Sequence, residues 1–122
     1  MIKVLQWSTR IAGLGALVLG IFLSFGAGAL PVSLHMTLGG IVAVVLEMLA
    51  LWALIDRVRV PAALVAVVWA AATVYVGTVQ AWWIGAGSHL FIEIAHPLLG
   101  IGAIGLAEML AAAINRKRAS LA

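Results

Sequence analysis

Read by its apolar and polar positions, the chain breaks into four long apolar stretches: about residues 11–30, 33–55, 60–84 and 90–114. Each is near the ~20 residues that a helix needs to cross ~30 Å of hydrocarbon. The pattern predicts an all-α membrane protein, a bundle of four transmembrane helices. Pro31 and Pro61 fall at or just before the second and third helices, where a missing backbone donor is harmless. Pro97 lies inside the fourth stretch. Either that helix starts near Ala95 with Pro97 in its first turn, or it starts near Leu90 and kinks at the proline; the apolar run upstream favours the second.

The stretches are not independent. Set against each other at a shift of 61, His35–Arg57 and His96–Arg118 coincide at His35/His96, Leu38/Leu99, Gly39/Gly100, Glu47/Glu108, Met48/Met109, Leu49/Leu110, Ala50/Ala111 and Arg57/Arg118. Apolar helices share leucines and alanines by chance, but not a histidine, a glycine four residues on and a Glu-Met-Leu-Ala run in register. Gly26-Ala27-Gly28 precedes one copy and Gly85-Ala86-Gly87 the other. The expected architecture is a duplicated two-helix hairpin, first helix matching third and second matching fourth. The copies run parallel about a pseudo-twofold axis along the membrane normal.

Composition agrees. With 66% hydrophobic residues, 9% charged residues and a mean hydropathy of +1.24, the chain lacks the polar side chains to cover a water-soluble core. One transmembrane domain, residues 1–122, accounts for the sequence. The seven Lys and Arg residues fall at three places: Lys3 and Arg10, then Arg57 and Arg59, then Arg116, Lys117 and Arg118. That bias puts both termini and the middle loop in the cytoplasm, as expected of a multi-pass protein of the cell (inner) membrane. The basic residues read as topology signals and not as a nucleic-acid patch. A basic start before an apolar run also fits a signal peptide, but the run is long for one and the repeat needs the first helix, so it is read as a retained span. With 0 cysteines there are no disulfides, no thiolate metal sites and no covalent c-type haem attachment.

In a bundle wound in chain order the second and fourth helices face each other across the core, so His35 and His96 meet at equal depth, a turn or two below the outer surface. Two imidazoles on opposite walls of an apolar slot supply the two axial ligands of a six-coordinate b-type haem iron, held non-covalently. Gly39 and Gly100 lie about 40° round and ~6 Å deeper on the same faces, where a side chain would meet the porphyrin. His89 precedes His96 by seven residues, ~10 Å nearer the outer surface; it is either a contact to a haem propionate or substrate, or an interfacial loop residue. Glu93, three residues before His96, is the candidate catalytic group, placed to orient the imidazole, relay a proton, or simply reach the headgroups. Glu47 and Glu108 lie ~18 Å deeper and about 120° off the histidine face. They form a carboxylate pair or proton route, or snorkel to the inner basic residues, the latter preferred for Glu108. Tyr75, Thr73, Thr78 and Gln80 make the third helix polar, and one of them is expected behind a ligand imidazole. Trp82 and Trp83 read as an interface anchor.

These residues resemble the haem A synthase family, whose four-helix bundles hold haem between histidines of the second and fourth helices near the outer face. Glu93-Ile94-Ala95-His96 is similar to the family's Glu-x-x-His, whose glutamate is implicated in oxidising a haem methyl group, and Gly26-Ala27-Gly28-Ala29-Leu30 is similar to the segment leading to a ligand. The resemblance implies a haem-dependent oxidoreductase. This chain has one bundle where the family usually has two, Pro97 where arginine is common, no outer cysteine pair, and Val32 at the place that matches Glu93. Small membrane cytochromes b are similar in outline, though two-haem forms need an inner histidine pair that this chain lacks.

The expected function is therefore electron transfer or haem-linked redox chemistry near the outer face, with a quinone or membrane redox partner, as a homodimer or part of a larger membrane complex, and without nucleic acid. The alternative is a non-redox protein, a small transporter or an accessory subunit. A transporter would depend on Glu47 and Glu108; an accessory subunit would carry no cofactor.

Overall fold

A computed structural model describes the backbone of residues 1–25, 32–85 and 89–121, and side chains over 1–25, 32–79 and 93–121. It contains α1 (Ile2–Ser24), α2 (Val32–Ile55), α3 (Val60–Gly85) and α4 (His89–Ala119), with no strand among the described residues. All four are long and apolar enough to cross a membrane, so the chain is a multi-pass membrane protein with an all-α four-helix bundle.

Successive helices pack side by side, α4 closes back on α1, and α2 touches α4 across the diagonal. The core is the duplicated sequence seen edge on. Leu46, Leu49, Ala50 and Ala53 of α2 are fully buried, as are Ala107, Leu110, Ala111 and Ile114 of α4, the same four places in each copy. Outward faces such as Val44, Leu51, Val68, Leu98 and Ile101 are apolar and exposed, as lipid contact requires.

Size is traded between facing helices. A Cβ on Gly13 of α1 would stand 2.5 Å from Ile104 Cδ1 of α4, and one on Gly102 of α4 would stand 2.6 Å from Trp69 Cζ2 of α3. Both glycines are the small half of a knob-and-hole pair. The Trp69 indole N–H donates to the Leu99 carbonyl at 2.9 Å, a bond that lipid surroundings would otherwise leave unmade.

Two features differ from the sequence expectation, and a third decides between the alternatives it left open in favour of the preferred one. First, α1 starts at Ile2 and not near residue 11, because the polar residues of its first turns are satisfied within the bundle. Thr9 is fully buried and donates to Leu5 O, while Arg10 and Gln6 both bond Glu108. Second, α4 runs to Ala119 and not to residue 114, since Arg116, Lys117 and Arg118 suit the negative end of a helix. Lys117 Nζ donates to Asp56 O, and the Arg118 guanidinium lies 4.3 Å from the Trp52 ring centre, so this end clasps the α2–α3 turn. Third, α4 passes through Pro97 as helix from His89, so the start near Ala95 is ruled out.

The α2–α3 turn is tight. Arg57 N donates to Leu54 O and Val58 N to Ala53 O, the paired bonds of a Schellman C-cap, with Arg57 at φ 51° where glycine is usual. Such a turn fixes α2 and α3 as antiparallel neighbours, which sets the depth of everything at the far end.

Candidate functional site

At the end of the bundle away from this turn, His35 sits in the first turn of α2 and His96 in the third turn of α4, each pointing inward. Their ring centroids are 5.9 Å apart and their planes are inclined by 60°. The predicted meeting of the two imidazoles is thus present. Diagonal packing of α2 on α4 brings them together, since equivalent residues of two parallel copies lie at one depth.

Each ring backs onto a glycine of the preceding helix. A Cβ on Gly20 of α1 would lie 3.1 Å from His35 Cε1, and one on Gly77 of α3 would lie 3.3 Å from His96 Cε1. These glycines escaped the sequence comparison because they are 57 apart while the histidines are 61 apart. Gly77 and His96 each stand four residues, one helical turn, further from the crossing between their helices than Gly20 and His35 do. Small residues at matched places, each under an imidazole, extend the duplication to α1 and α3. The signal was legible: a glycine in either odd helix, with an offset allowed to differ from that of the even pair.

Hydrogen bonding separates the two rings. A carbonyl can only accept, so the 2.9 Å contact between His35 Nδ1 and Ala16 O is an Nδ1–H donated to α1. That fixes the neutral tautomer and leaves the lone pair on Nε2. His96 Nδ1 is buried and has no partner among the described residues. Behind His35, then, stands a backbone carbonyl of α1 and not a polar side chain of α3. The Thr73 hydroxyl is spent on Trp69 O and that of Thr78 on Tyr75 O, both within α3.

One turn below the rings the two glycines of the repeat are uncrowded. A Cβ on Gly39 would meet nothing within 4 Å, and one on Gly100 would meet only Leu17 Cδ2, at 3.9 Å. Both glycines are half-buried, one turn deeper than the histidines on the same helices. Open space beside a half-buried glycine differs from the close fits at Gly13 and Gly102, where glycine admits a neighbour.

Other predicted residues do not join the site. Glu93 is exposed and makes no hydrogen bond with His96 or any other described residue, so it does not orient the imidazole. His89 is the first residue of α4, and its side chain lies outside the described residues, as do those of Gln80, Trp82 and Trp83. Glu108 is held by Arg10 through Nε at 2.6 Å and Nη2 at 2.9 Å, and by Gln6. It therefore does pair with a basic residue near the other end of the bundle. Glu47, its copy, has no polar partner among the described residues: the matching places on α3 are Ala63 and Val67. A Glu47–Glu108 carboxylate pair is not formed.

Among the described residues no group of three or more His, Cys, Asp or Glu side chains converges, so the pair is not part of a cage with a full set of side-chain ligands. Two nitrogen donors, one tautomer fixed from behind, and uncrowded glycines one turn deeper are what the arrangement offers. Comparison with family models, with curated proteins and with solved structures finds no match to this chain.

Proposed function

We propose that the protein is a membrane-bound electron carrier that holds one b-type haem between His35 and His96. The observation that carries this reading is the facing pair of imidazoles. A metal bonded at ~2.0 Å to a nitrogen of each of two rings keeps the ring centres ~6 Å apart, and these stand at 5.9 Å. Neutral donors suit an iron in an apolar site, and two side-chain ligands suffice only where a macrocycle supplies the others. The uncrowded Cβ positions of Gly39 and Gly100, each one turn from a ligand on the same helix, are compatible with the same group.

When bound, the haem supplies a one-electron couple. The chain's own part is to position and insulate. Ala16 O accepts a hydrogen bond from the Nδ1–H of His35, which holds the ring in one orientation and makes its other nitrogen the better donor. Gly20 lets α1 close on the back of the His35 ring, which holds that imidazole on the axis, and Gly77 lets α3 approach the back of the His96 ring. The surrounding apolar helices exclude water, which favours a carrier over a centre that must bring protons in. Glu93 is exposed and makes no hydrogen bond with either ring, so electron transfer is preferred to an oxidation at the haem edge.

The basic ends of the helices support a site at the outer side of the cell membrane with both termini in the cytoplasm, and a carrier there would exchange electrons with a membrane redox molecule. The test is the absorption spectrum of protein purified from haem-replete cells. Wild type is expected to show the sharp α band of a low-spin bis-histidine haem, and His35→Ala and His96→Ala are each expected to lose it. A low-spin spectrum that survives in both variants would refute the assignment of ligands.

A further inference from the structure

We infer that the two histidines are unequal ligands, His35 anchored and His96 exchangeable, so that the site accepts a small neutral donor molecule in place of the His96 imidazole. This rests on the haem reading above and adds to it that the centre is not closed to outside ligands.

Three observations on the same pair point one way. His35 donates Nδ1–H to Ala16 O at 2.9 Å, whereas His96 Nδ1 is buried with no acceptor among the described residues. Second, the seat behind His96 is looser. The Cβ position of Gly77 is 3.3 Å from His96 Cε1 and 4.0 Å from Nδ1, against 3.1 Å and 3.5 Å for Gly20 and His35. Third, Pro97 follows His96 inside α4 and has no N–H to give the Glu93 carbonyl, so the turn carrying His96 lacks a rung of its ladder.

Their physical consequence is a difference in ligand strength. A bond from the rear nitrogen to a carbonyl fixes the tautomer and raises the basicity of the ligating nitrogen, and its loss typically costs 10- to 100-fold in metal affinity. Without such a bond the proton of a neutral His96 has no assigned nitrogen, and a ring bound through Nε2 keeps an unsatisfied N–H in an apolar wall. Releasing that ring lets the N–H find a partner; releasing His35 would break a bond already made. An incoming molecule with one donor atom therefore displaces His96. With haem bound, its bond to the metal would form as the His96 bond opened, with no electron or proton transferred.

Carbon monoxide is the probe. Wild-type holoprotein, reduced with dithionite, is expected to give a carbon monoxide difference spectrum, which a centre with two firm imidazole ligands resists. His96→Ala is expected to retain haem as a five-coordinate species, while His35→Ala binds it at least ~10-fold more weakly than His96→Ala does. Absence of a carbon monoxide adduct, or haem affinities of the two variants within about threefold of each other, would overturn the inference while leaving the haem reading intact. Should His35→Ala fail to fold, the adduct of wild type and the haem retained by His96→Ala decide the matter. A wild type that binds no haem would overturn both.

Discussion

Replacing Gly102 by alanine puts a methyl group where the Trp69 indole now lies. The new Cβ would stand 2.6 Å from Cζ2 and 2.8 Å from both Cε2 and Nε1. Carbon atoms pack best at ~3.5–4.0 Å, so the ring must retreat by about 1 Å. The Nε1–Leu99 O distance is 2.9 Å now, and the same retreat carries it past hydrogen-bond reach. An unsatisfied buried donor costs ~1–3 kcal/mol, and forcing a packed interface apart costs ~1–3 kcal/mol more. Alanine returns up to ~1 kcal/mol of helix propensity over glycine. Net destabilisation is therefore about 1–5 kcal/mol. Gly105→Ala is the control, since a Cβ there meets nothing within 4 Å and only the propensity gain remains. Unfolding of the detergent-solubilised protein, followed by circular dichroism against added dodecyl sulfate, measures both. A cycle with Trp69→Phe should recover most of the Gly102→Ala cost, because the smaller ring vacates the contact. Equal stability of Gly102→Ala and Gly105→Ala would refute the packing described for α3 on α4.

Gly39→Leu tests the space below the histidines: with nothing near its Cβ the variant should keep its unfolding midpoint, yet the absorption band of bound haem should vanish, because the side chain fills the slot. Loss of fold and loss of haem together would instead make Gly39 a packing residue. Arg10→Gln removes the main partner of Glu108 and should lower the melting temperature, and adding Glu108→Gln should restore part of the loss by removing the stranded charge; an additive pair would mean the two side chains do not interact. Arg118→Ala deletes the cation over Trp52 and should cost ~0.5–1 kcal/mol with a change in tryptophan emission, and unaltered emission would argue against the clasp at the α2–α3 turn.

The sequence made some of this architecture visible and hid the rest for identifiable reasons. Four spans and the facing of His35 and His96 could be read because apolar length and an exact repeat at 61 are one-dimensional signals. The start of α1 could not, because Arg10 and Gln6 look like flanking residues until Glu108, on the last helix, is seen to hold them. Gly20 and Gly77 were hidden by the additional turn that the second hairpin inserts before its histidine, which breaks a single-offset comparison. The sequence points to an α3 side chain behind one ligand imidazole, yet behind His35 stands the carbonyl of Ala16, and a backbone group carries no mark in the sequence. The partnering of Glu108 followed the expectation for a carboxylate near basic residues. Its copy, Glu47, shows how duplicated residues diverge once one helix keeps the arginine and the other has Val67.

The stoichiometry of haem to polypeptide, measured by pyridine haemochrome on protein purified from haem-replete cells, bears most directly on the paired imidazoles. One b-type haem per chain is the predicted result. A colourless preparation, or a second haem for which the described residues offer no further histidine pair, would contradict it.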